Sequence, residues 1–315
     1  MGGGRLAGLA LTVLVSLPAA ALAQETKVAI GISGWTGFAP LTLAKEAGIY
    51  KKNGLDVTIK KIPQSSRHLA IASGDIQCAA TTTETYLVWN AAGVPIKELF
   101  QLDKSYGADG LVVRPGINSV ADLKGKTIAA DVPGTSEYFG VAWILNKNGL
   151  SMKDVKIVNL SAGPAAQAFL AGQNDAAWTY EPYLSNVRAK PDVGKILATT
   201  LDYPMVTDTF GCSPSFIDAN PKAVKALADS YFEALDMIAK DPKKSNEIMG
   251  ADVKQTGEEF AASAKYLKWV DREGSRKFFA GEFDDFNKAA AKLLLEAGVL
   301  KTMPDLNLAD TRFLQ

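Results

Sequence analysis

The chain has 315 residues, of which 47% are hydrophobic and 22% charged, and its 34 Lys and Arg balance its 34 Asp and Glu. That balance excludes the basic field needed by a nucleic-acid or anionic-lipid binder, and the apolar content suffices for one large or two medium globular domains without staples. A single histidine and two cysteines cannot supply the ligand cluster of a zinc centre.

In chain order, the first element is a leader. Arg5 gives a positive n-region, residues 6–17 an apolar h-region, and Ala21-Leu22-Ala23 after Pro18 a cleavage site. Residues 1–23 are therefore expected to be a signal peptide removed on export. An apolar run of about a dozen residues is short of the ~20 that span a bilayer, and no cysteine follows it to carry a lipid. The mature protein, left with one net negative charge by the loss of Arg5, is expected outside the cytoplasm.

Residues 27–33 read as a strand, 34–37 as a loop and 38–50 as a helix stopped at Asn53-Gly54. Residues 55–62 alternate as a strand. Ser65 or Ser66 caps the next helix, 76–80 is a buried strand, Thr82 or Thr83 caps a helix to residue 92, and 96–102 is another strand. After 103–110 the unit restarts with a strand at 111–113, a short helix at 119–123, a strand at 127–130 and a helix opened by Pro133-Gly134-Thr135-Ser136. A last strand falls at 195–198. Beyond residue 208 the pattern is mostly helical, over 221–240, 242–249, 257–269 and 284–297. With no sheet of their own, these helices are expected to pack on the first lobe.

One stretch is written twice. From Lys52 the chain reads K-N-G-L, an alternating strand, a helix ending at Ser73-Gly74, then I-Q-C-A-A and T-T-T-E-T-Y-L; from Lys147 it reads K-N-G-L, V-K-I-V, a helix ending at Ala171-Gly172, then D-A-A-W and T-Y-E-P-Y-L. Strands alternating with helices at this spacing predict βαβ units and a mainly parallel sheet, and two copies predict two similar lobes. The expected boundaries are 24–106 with 207–315 for the first lobe and 107–206 for the second. Open α/β sheets bind ligands at the carboxyl ends of their strands, so the site is expected in a cleft between the lobes.

Catalysis finds little support. His68 lies on an otherwise apolar helix face without a G-x-S-x-G nucleophile motif, and reads as structural; neither G-x-x-x-x-G-K-[ST] nor a G-x-G-x-x-G fingerprint is present. Binding is better supported. Trp35 and Thr36, Thr82 and Thr83, Thr135, Ser136 and Glu137, and Trp178, Tyr180 and Glu181 all fall in loops at strand carboxyl ends. Plain N-capping accounts for part of the hydroxyl residues, and Trp35 and Trp178 suit either core packing or a pocket wall; the expectation is that the two indoles face the cleft from opposite lobes. Asp103, Glu137, Glu181 and Asp208 lie at the same edges. With no clear arginine at the strand ends, this acidic rim disfavours a bare, multiply charged anion and suits a zwitterion or an N–H-rich ligand. Cys78 and Cys212 each sit in an apolar strand-like run and are read as two separate core thiols, although an exported protein permits a disulfide.

The segments G-W-T-G-F-A-P-L-T-L-A-K-E-A-G-I-Y-K-K-N-G-L-D-V, L-A-I-A-S-G-D-I-Q, V-A-D-L-K-G-K-T-I-A, and N-G-L-S-M-K-D-V-K-I-V-N-L with A-F-L-A-G-Q-N-D-A-A-W resemble, over residues 28–232, the periplasmic substrate-binding proteins of nitrate, sulfonate and taurine ABC importers. That group also includes pyrimidine-precursor binders. The resemblance implies a type II periplasmic binding protein, monomeric and without a cofactor, with a small-molecule solute between its lobes and a permease and ATPase as partners. By position it places the loops at Trp35 and Thr36, Thr81 to Thr83, Gly134 to Ser136 and Trp178 to Glu181 in the cleft. A related thiamine-precursor synthase carries a cysteine-rich signature that is lacking here.

Overall fold

The twin K-N-G-L segments do the same structural job. In each a helix ends at the Asn and the following glycine takes a left-handed turn, Gly54 at φ 78° and Gly149 at φ 75°, a conformation that costs a residue with a Cβ but not glycine. The computed structural model describes residues 1–3 and 25–315. The leader expected over 1–23 lies, beyond its first three residues, outside the described residues.

The strands are β1 (Thr26–Ile32), β2 (Leu55–Lys61), β3 (Cys78–Thr82), β4 (Lys97–Ser105), β5 (Asp109–Val113), β6 (Thr127–Ala130), β7 (Lys156–Asn159), β8 (Ala176–Tyr180), β9 (Lys195–Thr199), β10 (Thr207–Cys212) and β11 (Leu267–Trp269). They form a six-stranded sheet in the order β11-β4-β10-β3-β1-β2 and a five-stranded sheet in the order β7-β6-β8-β5-β9. Within each sheet the repeat sets the parallel part: β2 and β3 flank β1, and β7 and β8 flank β6. An antiparallel strand then follows in each, β10 beside β3 and β5 beside β8. Both sheets are thus mixed rather than simply parallel. Helices cover their faces, as in an α/β architecture that must bury apolar surface on both sides.

The antiparallel strands are the ones by which the chain enters a sheet from the other. It leaves β4 for β5 through residues 106–108 and returns from β9 to β10 through 200–206. The two crossings are stitched together: Ser105 Oγ and Thr200 Oγ1 lie 2.7 Å apart, Gly107 N–H donates to Thr200 Oγ1 at 2.9 Å, and Ser105 N–H to the Val206 carbonyl at 3.1 Å.

Three expectations are corrected. Cys78 and Cys212 are not separate thiols: β10 runs antiparallel to β3 with Cys212 directly opposite Cys78, and the two form a disulfide with Cα atoms 4.0 Å apart. The helix expected over 257–269 ends at Ala264, because Leu267–Trp269 pairs with the free edge of β4 instead. Finally, the helical tail does not pack on one lobe alone. Helices Pro221–Lys240 and Pro242–Asp252 lie on the first, against Ala39–Glu46, whereas Glu282–Glu296 rests on both Thr83–Ala91 of the first and Ser136–Lys147 of the second. Phe283, Ala290, Ala291 and Leu294 of that last helix join a buried cluster with residues of both lobes.

Candidate functional site

The edges where β1, β3 and β8 end and β5 and β10 begin face one another across the interface between the sheets. They enclose a cavity of ≈ 20 Å³ walled by Ser33, Trp35, Phe38, Gln64, Arg67, Thr81, Thr82 and Asp208 from the first sheet and Asp109, Ser136 and Tyr180 from the second, with Val206 of the return crossing. It adjoins a groove of ≈ 280 Å³ that shares Ser33, Gln64 and Tyr180 and adds Asp131, Glu137 and Tyr183.

Polar contacts hold the two walls together. Ser136 donates from its N–H (3.2 Å) and its hydroxyl (3.0 Å) to Gln64 Oε1, while Gln64 Nε2 donates to Thr81 Oγ1 at 2.6 Å and Thr85 Oγ1 at 2.9 Å. The Trp35 and Tyr180 rings meet edge to face with centroids 5.4 Å apart, a favourable aromatic geometry. Thr36 N–H reaches the Glu181 carbonyl at 3.4 Å.

Acidic groups dominate the electrostatics. Asp103 accepts from Trp35 Nε1 at 3.1 Å and stands opposite Asp208 in the β4–β10 ladder. With both ionised, each would keep a buried oxygen lacking any donor; one proton between them, donated by Asp208 to Asp103, satisfies both. Burial, which favours the neutral acid, pushes Asp103 up to about 7, Glu137 to about 7 and Glu84 to about 8, and lifts Asp109 and Asp208 well above the carboxylate range. Arg67 is the cation of the wall. It is 1% exposed, burial lowers its pKa to about 10, and its Nε and Nη2 donate to the Ile62 carbonyl and Nη1 to the Ala80 carbonyl.

Of the residues singled out from the sequence, Trp35, Thr82, Ser136, Tyr180 and Asp208 line the cavity, Asp103 backs Trp35, and Glu137 lines the adjoining groove. The rest stand elsewhere. Thr135 is a helix N-cap, accepting from Tyr138 N–H at 3.5 Å, and Thr83 donates to the Thr207 carbonyl at 3.4 Å. Thr36 is buried behind the wall. Glu181 is occupied by its own neighbours, accepting from Ser185 N–H at 3.0 Å and pairing with Arg188 at 3.4 Å.

Trp178 is a clear correction. Within β8 it points away from the cleft into the second lobe, fully buried over Gly140, where an added Cβ would come within 2.5 Å of the indole. Tyr180, two residues on at the end of the strand, meets Trp35 instead. His68 packs on Trp89 with ring centroids 6.1 Å apart.

Sequence reasoning missed Ser33, Phe38, Gln64, Arg67, Asp109 and Val206. A signal existed for two of them: Gln64 and Arg67 are three residues apart in the first turn of the helix that follows β2, so both project from one face at a strand's carboxyl end. The absence of a strand-end arginine, taken above as arguing against anions, is thereby corrected.

Comparison with known proteins agrees with this architecture. A family model described as NMT1/THI5 like matches residues 35–245. The chain belongs to the NMT1/THI5-like family. The taurine-binding periplasmic protein of Escherichia coli (strain K12) is 27% identical over 228 residues, 70% of this chain and 69% of that one. Among solved structures, the alkanesulfonate-binding protein SsuA from Xanthomonas axonopodis pv. citri, bound to MOPS, superimposes with a TM-score of 0.74 at 21% identity, covering 91% of this chain and 97% of that one. The periplasmic nitrate-binding protein NrtA of Synechocystis PCC 6803 gives 0.67 at 20%, covering 91% and 92%. These two likenesses carry the fold: the NMT1/THI5-like chain has the periplasmic-binding-protein architecture, and the cavity lies between its two sheets.

Proposed function

We propose that this chain is the extracytoplasmic solute-binding component of an ABC importer. It captures a small polar compound containing nitrogen or sulfur between lobes 24–106 with 207–315 and 107–206, and presents the closed form to a membrane permease with an ATPase partner. The observation that carries this reading is the cavity itself, which draws polar side chains from both sheets so that a bound solute contacts both lobes at once. Relatives named as binding proteins support it, as does the chemistry of the wall: the cysteines are joined in a disulfide and the histidine packs on a tryptophan, so binding rather than nucleophilic catalysis is what the residues offer.

The test is a thermal-shift screen of the purified chain against small sulfonates, nitrate, amines, amidines, ureas and pyrimidines, followed by calorimetry. One solute per chain is expected, with a stabilisation of ~2.7 kcal/mol at a hundredfold excess over Kd, and recovery of that solute unchanged. Conversion of the solute to a product would overturn the reading in favour of an exported enzyme.

A further inference from the structure

We infer that the cavity receives a singly charged cation bearing N–H donors, an ammonium, amidinium or guanidinium group, held between Asp109 of one lobe and Asp208 of the other. The inference rests on the solute-binding reading and concerns the chemistry of the solute.

The two aspartates occupy equivalent places in the repeated architecture. Each lies at the start of the antiparallel strand that enters its sheet from a crossing, and each pairs with the last residue of the neighbouring parallel strand: Asp208 with Thr82, Asp109 with Tyr180. Both are 2% exposed, both line the cavity, and each has a carboxyl oxygen with no hydrogen-bond donor from the protein. For Asp208 the shared proton with Asp103 answers that need. For Asp109 nothing does. A buried carboxyl oxygen without a hydrogen-bond partner is costly, and Asp109 lines the cavity.

Charge counting gives the sign. In the ligand-free protein burial keeps Asp109 protonated, so the Asp103–Asp208 pair with its one proton contributes one negative charge and Arg67 one positive charge, its donors at Nε, Nη1 and Nη2 already serving main-chain carbonyls. A monocation that displaces the Asp109 proton gains that carboxylate as its counter-ion and leaves the enclosure neutral. Nitrate or a sulfonate would instead leave an uncompensated negative charge beside the buried Asp103–Asp208 pair, against like-charge and desolvation penalties. Glu84 and Glu137, a layer further out, reinforce the same sign when ionised. The two lobes' carboxylates also give the cation a role in closure, since it attracts both walls together.

The experiment measures, by calorimetry on the purified chain, binding of acetamidinium, guanidinium and ethanolammonium against nitrate, methanesulfonate and taurine, with wild type, Asp109→Asn and Asp208→Asn. At least one cation is expected to bind, and each Asn variant to weaken it by roughly 30-fold or more, as for truncation of one member of a buried charge pair. The ligand-free melting temperature of Asp109→Asn at pH 7 is expected to match that of wild type, because without a solute Asp109 is already neutral and Asn keeps its shape; a structural role alone would lower it. Binding of nitrate or methanesulfonate that survives or improves in the Asn variants overturns the cation while leaving the solute-binding reading intact. Failure of all six probes counts against that reading and removes the proposal with it.

Discussion

Glu84 has little beyond a hydroxyl to offset its burial. It is 2% exposed, one carboxyl oxygen accepts from the Thr82 hydroxyl at 2.5 Å, and the other has no partner. Burial raises its pKa from 4.5 to about 8. A carboxyl whose folded pKa lies above its unfolded value contributes its full stability below the unfolded value, and loses it as pH rises towards the folded one. Between pH 4.5 and 8 the unfolded chain sheds this proton while the folded chain keeps it, at up to about 1.4 kcal/mol per pH unit. Glu84→Gln is therefore expected to gain on wild type steadily from pH 5 to pH 8, as read by urea unfolding at several pH values; a difference that stays flat with pH would show that Glu84 does not hold its proton in the folded state. At this scale much of the site was legible. Trp35, Thr82, Ser136, Tyr180 and Asp208 line the candidate cavity as their strand-end positions suggest, whereas the similarly placed hydroxyls of Thr83 and Thr135 serve main-chain and capping bonds. Trp178 misled because a tryptophan in a strand reads the same whichever face it takes; Gly140, which makes room for its ring, is 38 residues away in sequence.

Strand β10 is the element that organises the first lobe. It slots between β3 and β4, carries Asp208 to the cavity and brings Cys212 opposite Cys78. Its sequence, T-D-T-F-G-C, is short and ends in a glycine and a cysteine, so a local reading finds only an apolar run. The disulfide closes a span of 134 residues containing the whole second sheet. Cross-linking so long a loop restricts the unfolded chain, and the Cys78→Ala/Cys212→Ala double variant is expected to lose about 2–5 kcal/mol in urea unfolding. Alkylation of the denatured wild-type protein without reductant should find no free thiol. Two reactive thiols, with stability unchanged in the double variant, would return the cysteines to the separate-core reading. Helix Glu282–Glu296 shows the same dependence on distant partners. Its amphipathic pattern was readable, but not that its apolar face would lie across helices of both lobes.

For the whole molecule, the consequence is a hinge with three ties: the crossings at 106–108 and 200–206, and the helix Glu282–Glu296 that bridges the lobes. Motion of the second lobe must pivot near these ties, opening the side walled by Trp35, Gln64, Ser136 and Tyr180. A solute that touches both walls favours the closed arrangement only through its differential contacts. Small-angle scattering is expected to show a modest fall in radius of gyration on saturation, with no change in oligomeric state; an unchanged radius at full occupancy would mean that the lobes are locked together. The sequence by itself determined the alternation of strands and helices, the duplication, the left-handed glycines that end its helices, and the strand edge at which the candidate cavity lies. These follow from periodicity, capping and turn chemistry, which act within a few residues. The tertiary structure decided what depends on pairing between distant parts of the chain: that β5 and β10 run against their neighbours, that Cys78 meets Cys212, that Asp109 and Asp208 line one cavity, and that the last helix spans both lobes. The physical reason is that a strand's hydrogen bonds and a helix's apolar face specify that a partner is needed, while which partner is set by the closing of the whole chain.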